Sequence, residues 1–163
     1  MSFTKDGAVW KSTLAGAAGG LVGSLAMNQF QALVTEEPQS SSGGDDATVK
    51  TAQAISHRVF DHNLTKDEKK WSGPAVHYAF GALAGALYGL LAETVPGVAS
   101  GGGTVFGAAL WLAADEIGVP AFGLGHSPLK TPASSHIKAL ASHLVFGLTT
   151  GLTRQTVQRV TQR

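Results

Sequence analysis

What this sequence lacks narrows its chemistry first. It contains no cysteine, which excludes a disulfide scaffold, a thiolate metal site and a cysteine nucleophile. Charge is scarce, at 14% of residues against about 25% in an ordinary soluble domain. The net charge of +1 provides no basic surface for nucleic acid, which is not expected as a partner. Catalytic signatures are missing too. The run Ser100-Gly101-Gly102-Gly103-Thr104 lacks the lysine of a phosphate loop, and neither GxGxxG, HExxH nor a nucleophile–base pattern occurs. No enzymatic activity, catalytic residue or cofactor is expected.

What is abundant is small. The 163 residues include 21 Gly and 24 Ala, and the length suits a single domain over residues 1–163. The few charges gather in one place, with 12 of the 23 inside residues 36–70. Four blocks carry none: 12–35, 71–92, 94–114 and the shorter 139–153. A helix needs about 20 mostly apolar residues to cross the hydrocarbon core. Three blocks reach that length, and the fourth does if Lys138 and Arg154 snorkel to opposite interfaces. The expected fold is an all-α integral membrane protein. Its four transmembrane helices fall at about 12–35, 74–95, 98–119 and 137–156, around a polar loop at about 36–73.

The mean hydropathy of +0.11 is low for such a protein because Gly and Ala add little and the loop is polar. A soluble Gly/Ala-rich bundle is the alternative. Each interior Gly would cost it about 0.5–1 kcal/mol relative to Ala, whereas in a bilayer small residues let helix backbones approach. Spacing of four recurs in every block: Gly16 and Gly20, Gly19 and Gly23, Gly81, Gly85 and Gly89, Gly103 and Gly107, Gly147 and Gly151. Each set forms a narrow groove on a helix. Leu at Gly85 or Gly147 is expected to part touching backbones, and Ala to cost far less. The first block continues to Val34 and is Gly/Ala-rich in its first half, which favours a retained helix over a cleaved signal peptide.

The loop begins with Pro38 and the run Ser40-Ser41-Ser42-Gly43-Gly44-Asp45-Asp46. Val49, Ala52, Ile55, Val59 and Phe60 then recur at helical spacing, predicting an amphipathic helix at about 47–62. It either folds back over the mouth of the bundle or lies at an interface for a partner or lipid. Thr65 and Glu68 form a capping box that opens a short helix towards Trp71, an interfacial anchor. Lys11 before the first block and Glu36-Glu37 after it favour both termini in the cytoplasm.

Ionisable groups inside a membrane are costly and mark candidate sites. With consecutive helices antiparallel, one leaflet collects Asn28 and Gln31 from the first helix, His77 and Tyr78 from the second, Asp115 and Glu116 from the third, and His143 from the fourth. His126 and His136 are expected in the loop above. Asp115 continues the row Gly103, Gly107, Trp111, which directs it to a His neighbour, while Glu116 turns towards the loop. Such a cluster fixes helix register, relays protons, or holds a divalent metal on His77, Asp115, Glu116 and His143. The first of these carries the most weight, so no metal is assigned. At the opposite end Glu93 and Arg154 are expected to form a structural ion pair.

At these residues the chain resembles the YagU-like family, small bacterial inner-membrane proteins with a domain of unknown function. The resemblance rests on Ala75-Val76-His77-Tyr78-Ala79-Phe80-Gly81 with Gly85, Tyr88 and Gly89. It rests also on Ala109-Leu110-Trp111-Leu112-Ala113-Ala114-Asp115-Glu116 with Pro120 and Gly123, on Ala141-Ser142-His143-Leu144-Val145-Phe146-Gly147, and on the opening from Gly19 to Phe30. It implies an inner-membrane location and a helical fold, without activity, cofactor or catalytic residue. The expected function is that of a non-enzymatic accessory or structural membrane protein. Its partners would be the lipid bilayer and a homo-oligomer or larger membrane complex. The alternative is a small proton- or ion-coupled transporter acting as a homo-oligomer.

Overall fold

The computed structural model describes residues 3–34, 47–125 and 128–161. The loop run from Pro38 to Asp46, the acids Glu36 and Glu37, and His126 lie outside them. Every regular element among the described residues is helical. Helix α1 is Phe3–Val34, α2 is Ala47–Phe60 and α3 is Lys66–Thr94. A 3₁₀ turn at Ser100–Gly103 leads into α4 at Thr104–Trp111. That helix widens into a π-helical turn at Leu112–Gly118 and ends in the single turn α5 at Val119–Ala121. A second 3₁₀ turn, Pro128–Lys130, precedes α6 at Ala133–Thr161.

Several expectations are corrected by this order. Helix α1 starts nine residues earlier than the uncharged block. The capping box does not open a separate short helix; it opens α3 itself. Thr65 N–H donates to Glu68 Oε2 at 2.7 Å and Glu68 N–H donates to Thr65 Oγ1 at 3.3 Å. The helix then runs on through Pro74 to Thr94. The third span, expected as one helix from about residue 98, is instead broken into 3₁₀, α and π pieces. Pro120 supplies the reason at the far end: it has no N–H for the carbonyl of Glu116, four residues back, and its ring crowds that carbonyl. The ladder relaxes by widening, as π turns do. At the near end, Gly101, Gly102 and Gly103 all have positive φ (60°, 68° and 105°), a conformation that side chains resist.

Among the described residues one helix, Lys66–Thr94, is long and apolar enough to cross a membrane. The four spans expected from uncharged length are therefore not all matched by hydropathy. Freedom from charge is not the same as being apolar. Helix α1 dilutes its Leu and Val with Gly, Ser, Asn and Gln, α6 carries Ser, His, Thr and Gln, and α4 is interrupted.

Packing is organised around α1, which lies against α3 on one side and α6 on the other; α6 in turn packs on α4, and α2 on α3. Two glycine rows of α1 face the two neighbours. A Cβ on Gly20 would lie 2.8 Å from Gly81 C and 3.0 Å from Gly85 Cα, and one on Gly19 would lie 2.6 Å from Thr150 O. Between α4 and α6, a Cβ on Gly147 would be 2.9 Å from Gly107 Cα. The helices are thus in backbone contact, which only the missing side chain permits. The buried interior is correspondingly small-featured: Met27, Ala84, Tyr88, Phe106 and Phe146 form its apolar cluster. Ser12, Ser24, Ser142 and Thr150 are equally buried. Many of the Leu and Val side chains and some of the Phe point the other way; Leu33, Leu83 and Phe122 are 85%, 71% and 80% exposed.

Candidate functional site

The antiparallel arrangement sorts the polar side chains into two ends. At the first end lie the close of α1, the start of α3, the π turn and the start of α6. The second end holds Ser12, Glu93 and Arg154.

The first end contains two separate groups, not one cluster. Between α1 and α3, Asn28 Nδ2 donates to Tyr78 Oη at 3.2 Å, and the rings of His77 and Tyr78 meet edge-on with centroids 5.5 Å apart. Gln31 is half-buried on α1. Between the π turn and α6, Asp115 Oδ2 lies 3.7 Å from His143 Nδ1, and that nitrogen donates to Ala139 O at 2.9 Å. The Asp115–His143 approach is thus an ion-pair contact beyond hydrogen-bond length. Glu116 turns away from both, to His136, whose Nδ1 is 2.6 Å from Glu116 Oε1 while its Nε2 faces Pro128 O at 3.1 Å. Adjacent residues point about 100° apart even on an ordinary α-helix, so the two neighbouring carboxylates reach different partners.

Among the described residues no group of three or more His, Asp or Glu side chains is placed to hold a metal ion. His77 contacts Tyr78, while Asp115, Glu116 and His143 belong to α6's side of the bundle. The four residues considered as metal ligands from sequence therefore do not assemble into one such group. His136 was expected in a loop; it sits instead in the first turn of α6. A signal for it was present: Pro132 immediately before the helix is a start marker, and His136 and His143 are seven residues apart, two turns on one face.

At the second end the guanidinium of Arg154 binds Glu93 Oε1 through Nη2, and its Nε donates to Ser12 Oγ at 2.8 Å. Ser12 Oγ donates in turn to Gly89 O at 2.6 Å, and Gln158 Nε2 donates to Glu93 Oε1 at 3.1 Å. Arg154 is 7% exposed and also stands 5.8 Å over the ring of Tyr88. A buried cation is tolerated only when paired and hydrogen-bonded, and here every neighbour supplies part of that. Ser12, Gln158 and Tyr88 were not foreseen. Nothing in a serine four residues before Gly16 announces that it bridges three helices.

The Tyr88 ring is fully buried, with its centroid 5.1 Å from that of Phe106. Its hydroxyl has no hydrogen-bond partner among the described residues. The site thus offers two carboxylate–imidazole contacts at one end and a closed Arg–Glu–Ser network at the other. The first kind of contact pairs an acid with a base within reach of each other; the second suits holding helices together.

A family model described as "Protein of unknown function (DUF1440)" matches residues 48–152. No curated protein and no solved structure matches the chain.

Proposed function

The chain belongs to this DUF1440 family of unknown function, and from that premise we propose that it is a small multi-spanning membrane protein with an accessory or structural role and no enzymatic activity. Its spans are the stretches at about 12–35, 74–95, 98–119 and 137–156, carried by α1, α3, α4 with its π turn, and α6, with both termini in the cytoplasm of a bacterium. Within the wider family it sits with the YagU-like inner-membrane proteins. Its partners are lipid and neighbouring membrane proteins, with self-association included.

The observation that carries this proposal is the inverted distribution of side chains. Soluble proteins bury Leu, Ile, Val and Phe and leave polar residues outside. Here Gly, Ala, Ser and Thr fill the contacts between helices, while Leu14, Leu21, Leu25, Leu83, Leu87, Val105 and Leu152 face outwards. Water would penalise that arrangement by about 25 cal/mol for each Å² of apolar surface left exposed; lipid would not. In a bilayer the driving force for association is close backbone packing through Gly-xxx-Gly rows, and α1 carries two such rows. The Arg154–Glu93–Ser12 network then acts as a polar fastener between helices.

The test is fractionation followed by topology mapping. The protein should stay in the membrane pellet through alkaline carbonate extraction. Reporters fused at Gly43 and at the C-terminus should then read opposite sides. Release into the supernatant would overturn membrane integration; same-side reporters would remove one span, with the interrupted α4 the first to reconsider.

A further inference from the structure

Each ring nitrogen of His136 meets an acceptor, and the Thr131 backbone, next to the 3₁₀ turn, adds a further contact. A backbone carbonyl only accepts, so the contact of Nε2 with Pro128 O at 3.1 Å requires a proton on Nε2. An ionised carboxylate also only accepts, so the contact of Nδ1 with Glu116 Oε1 at 2.6 Å requires a proton on Nδ1. A ring with both protons is an imidazolium.

We propose that His136 is a proton-operated clasp: charged, it ties the π turn (through Glu116) and the 3₁₀ turn Pro128–Lys130 (through the Pro128 carbonyl) to the first turn of α6, and neutral, it must release one of them. This goes beyond the accessory role proposed above and stands whether or not the chain crosses a membrane. Neutral imidazole keeps a single N–H, and it stays on Nδ1, where the carboxylate is a stronger acceptor than a backbone carbonyl, so deprotonation releases Pro128 O and with it the 3₁₀ turn. Its hydrogen bond with Glu116 holds the His136 ring above the usual 6.5. With a raised value in the folded protein, the clasp contributes in full below about 6.5 and is lost as pH climbs through the folded value.

The surroundings leave few competitors. On the π turn, Asp115 faces His143 rather than His136. On the 3₁₀ turn Lys130 is exposed, and on α6 itself Lys138 is exposed. Glu116 is the charged group in hydrogen-bond contact with the ring. Two turns further along α6, His143 and Asp115 form the next carboxylate–imidazole contact, so a loosened first turn of α6 would be felt there.

The absence of cysteine makes the experiment clean. A single spin label on Leu129→Cys, at a side chain 97% exposed in the 3₁₀ turn, reports the mobility of that turn in the full-length, detergent-solubilised protein. Imidazole nitrogen NMR on the same preparation follows His136. At pH 6 both ring nitrogens should be protonated and the label restrained. As pH rises past a midpoint above 6.5 the label should become mobile, while a label on Ile117→Cys in the π turn stays unchanged. Glu116→Gln should move the midpoint back towards 6.5 and carry the onset of mobility with it. His136→Asn should give the mobile spectrum at every pH. A bare Nδ1 at pH 6, meaning that Glu116 holds the proton, would overturn the clasp. So would a Leu129 label indifferent to the His136 titration, or a midpoint unmoved by Glu116→Gln.

Discussion

At the scale of single residues, Tyr88 and Glu68 show opposite extremes of satisfaction. The Tyr88 hydroxyl is buried and unpartnered among the described residues, and a buried polar group without a partner costs about 1–3 kcal/mol. Tyr88→Phe keeps the ring against Phe106 and removes the hydroxyl. It should leave thermal stability unchanged or raise it, and a loss above about 1 kcal/mol would show that the hydroxyl has a partner. Glu68 is satisfied several times over. Its hydrogen bond from the Thr65 backbone, with that of His62 next, holds its carboxyl at about 2, below the usual 4.5. A depressed value means that the contribution is present above about pH 4.5 and is lost as pH falls from there through 2. Protection factors of the first-turn amides of α3, which remove the intrinsic pH dependence of exchange, should therefore fall over that interval. Thr65→Ala should loosen the same turn at neutral pH, by about 0.5–2 kcal/mol.

Helices and their contacts set a different kind of limit. From sequence alone, Ala at Gly85 or Gly147 looks mild beside Leu. The geometry makes Ala costly as well: a Cβ at Gly85 would lie 2.7 Å from Gly20 Cα and 2.8 Å from Gly20 N, and backbone cannot swing aside as a side chain can. Gly85→Ala and Gly147→Ala should each destabilise the solubilised protein by about 1–3 kcal/mol. Gly7→Ala, with nothing within 4 Å of the added carbon, should instead stabilise α1 by up to about 1 kcal/mol. Thermal melts of the three variants decide it; equal melting temperatures would mean that the close approaches do not exist.

What could be read beforehand followed the same division. The helical character, the capping box and the convergence of Glu93 with Arg154 were legible because few charged residues border the uncharged blocks and each stands out. The π turn was not, since Pro120 signals a disturbance without specifying its form. The splitting of Asn28 and His77 from Asp115 and His143 was illegible too. It depends on α3 packing closely on α1, and α4 on α6, and periodicity does not reveal neighbour order.

The whole molecule is a bundle whose outside is more apolar than its inside, and one substitution separates the two environments in which that could exist. Leu83 is 71% exposed near the middle of α3. In a bilayer, Leu83→Lys would place a charge at depth for about 2.5–3.5 kcal/mol, and the amount of membrane-integrated protein should fall. In water the same change would be harmless or would improve solubility. Leu129→Lys, in the turn before α6, should be tolerated in either case. Quantifying both variants in membrane fractions separates the outcomes.

The central position of α1 also constrains how the chain is made. Helix α1 rests on a helix made much later, α6: Thr150 Oγ1 donates to Gly19 O at 3.3 Å, and Arg154 reaches Ser12 across 142 positions of sequence. Until α6 emerges from the ribosome, one glycine row of α1 has nothing to lie against, and α4 has lost its principal neighbour. A nascent chain stopped before residue 133 would therefore expose two unfilled seams, the kind of surface that quality-control proteases and insertion chaperones meet first.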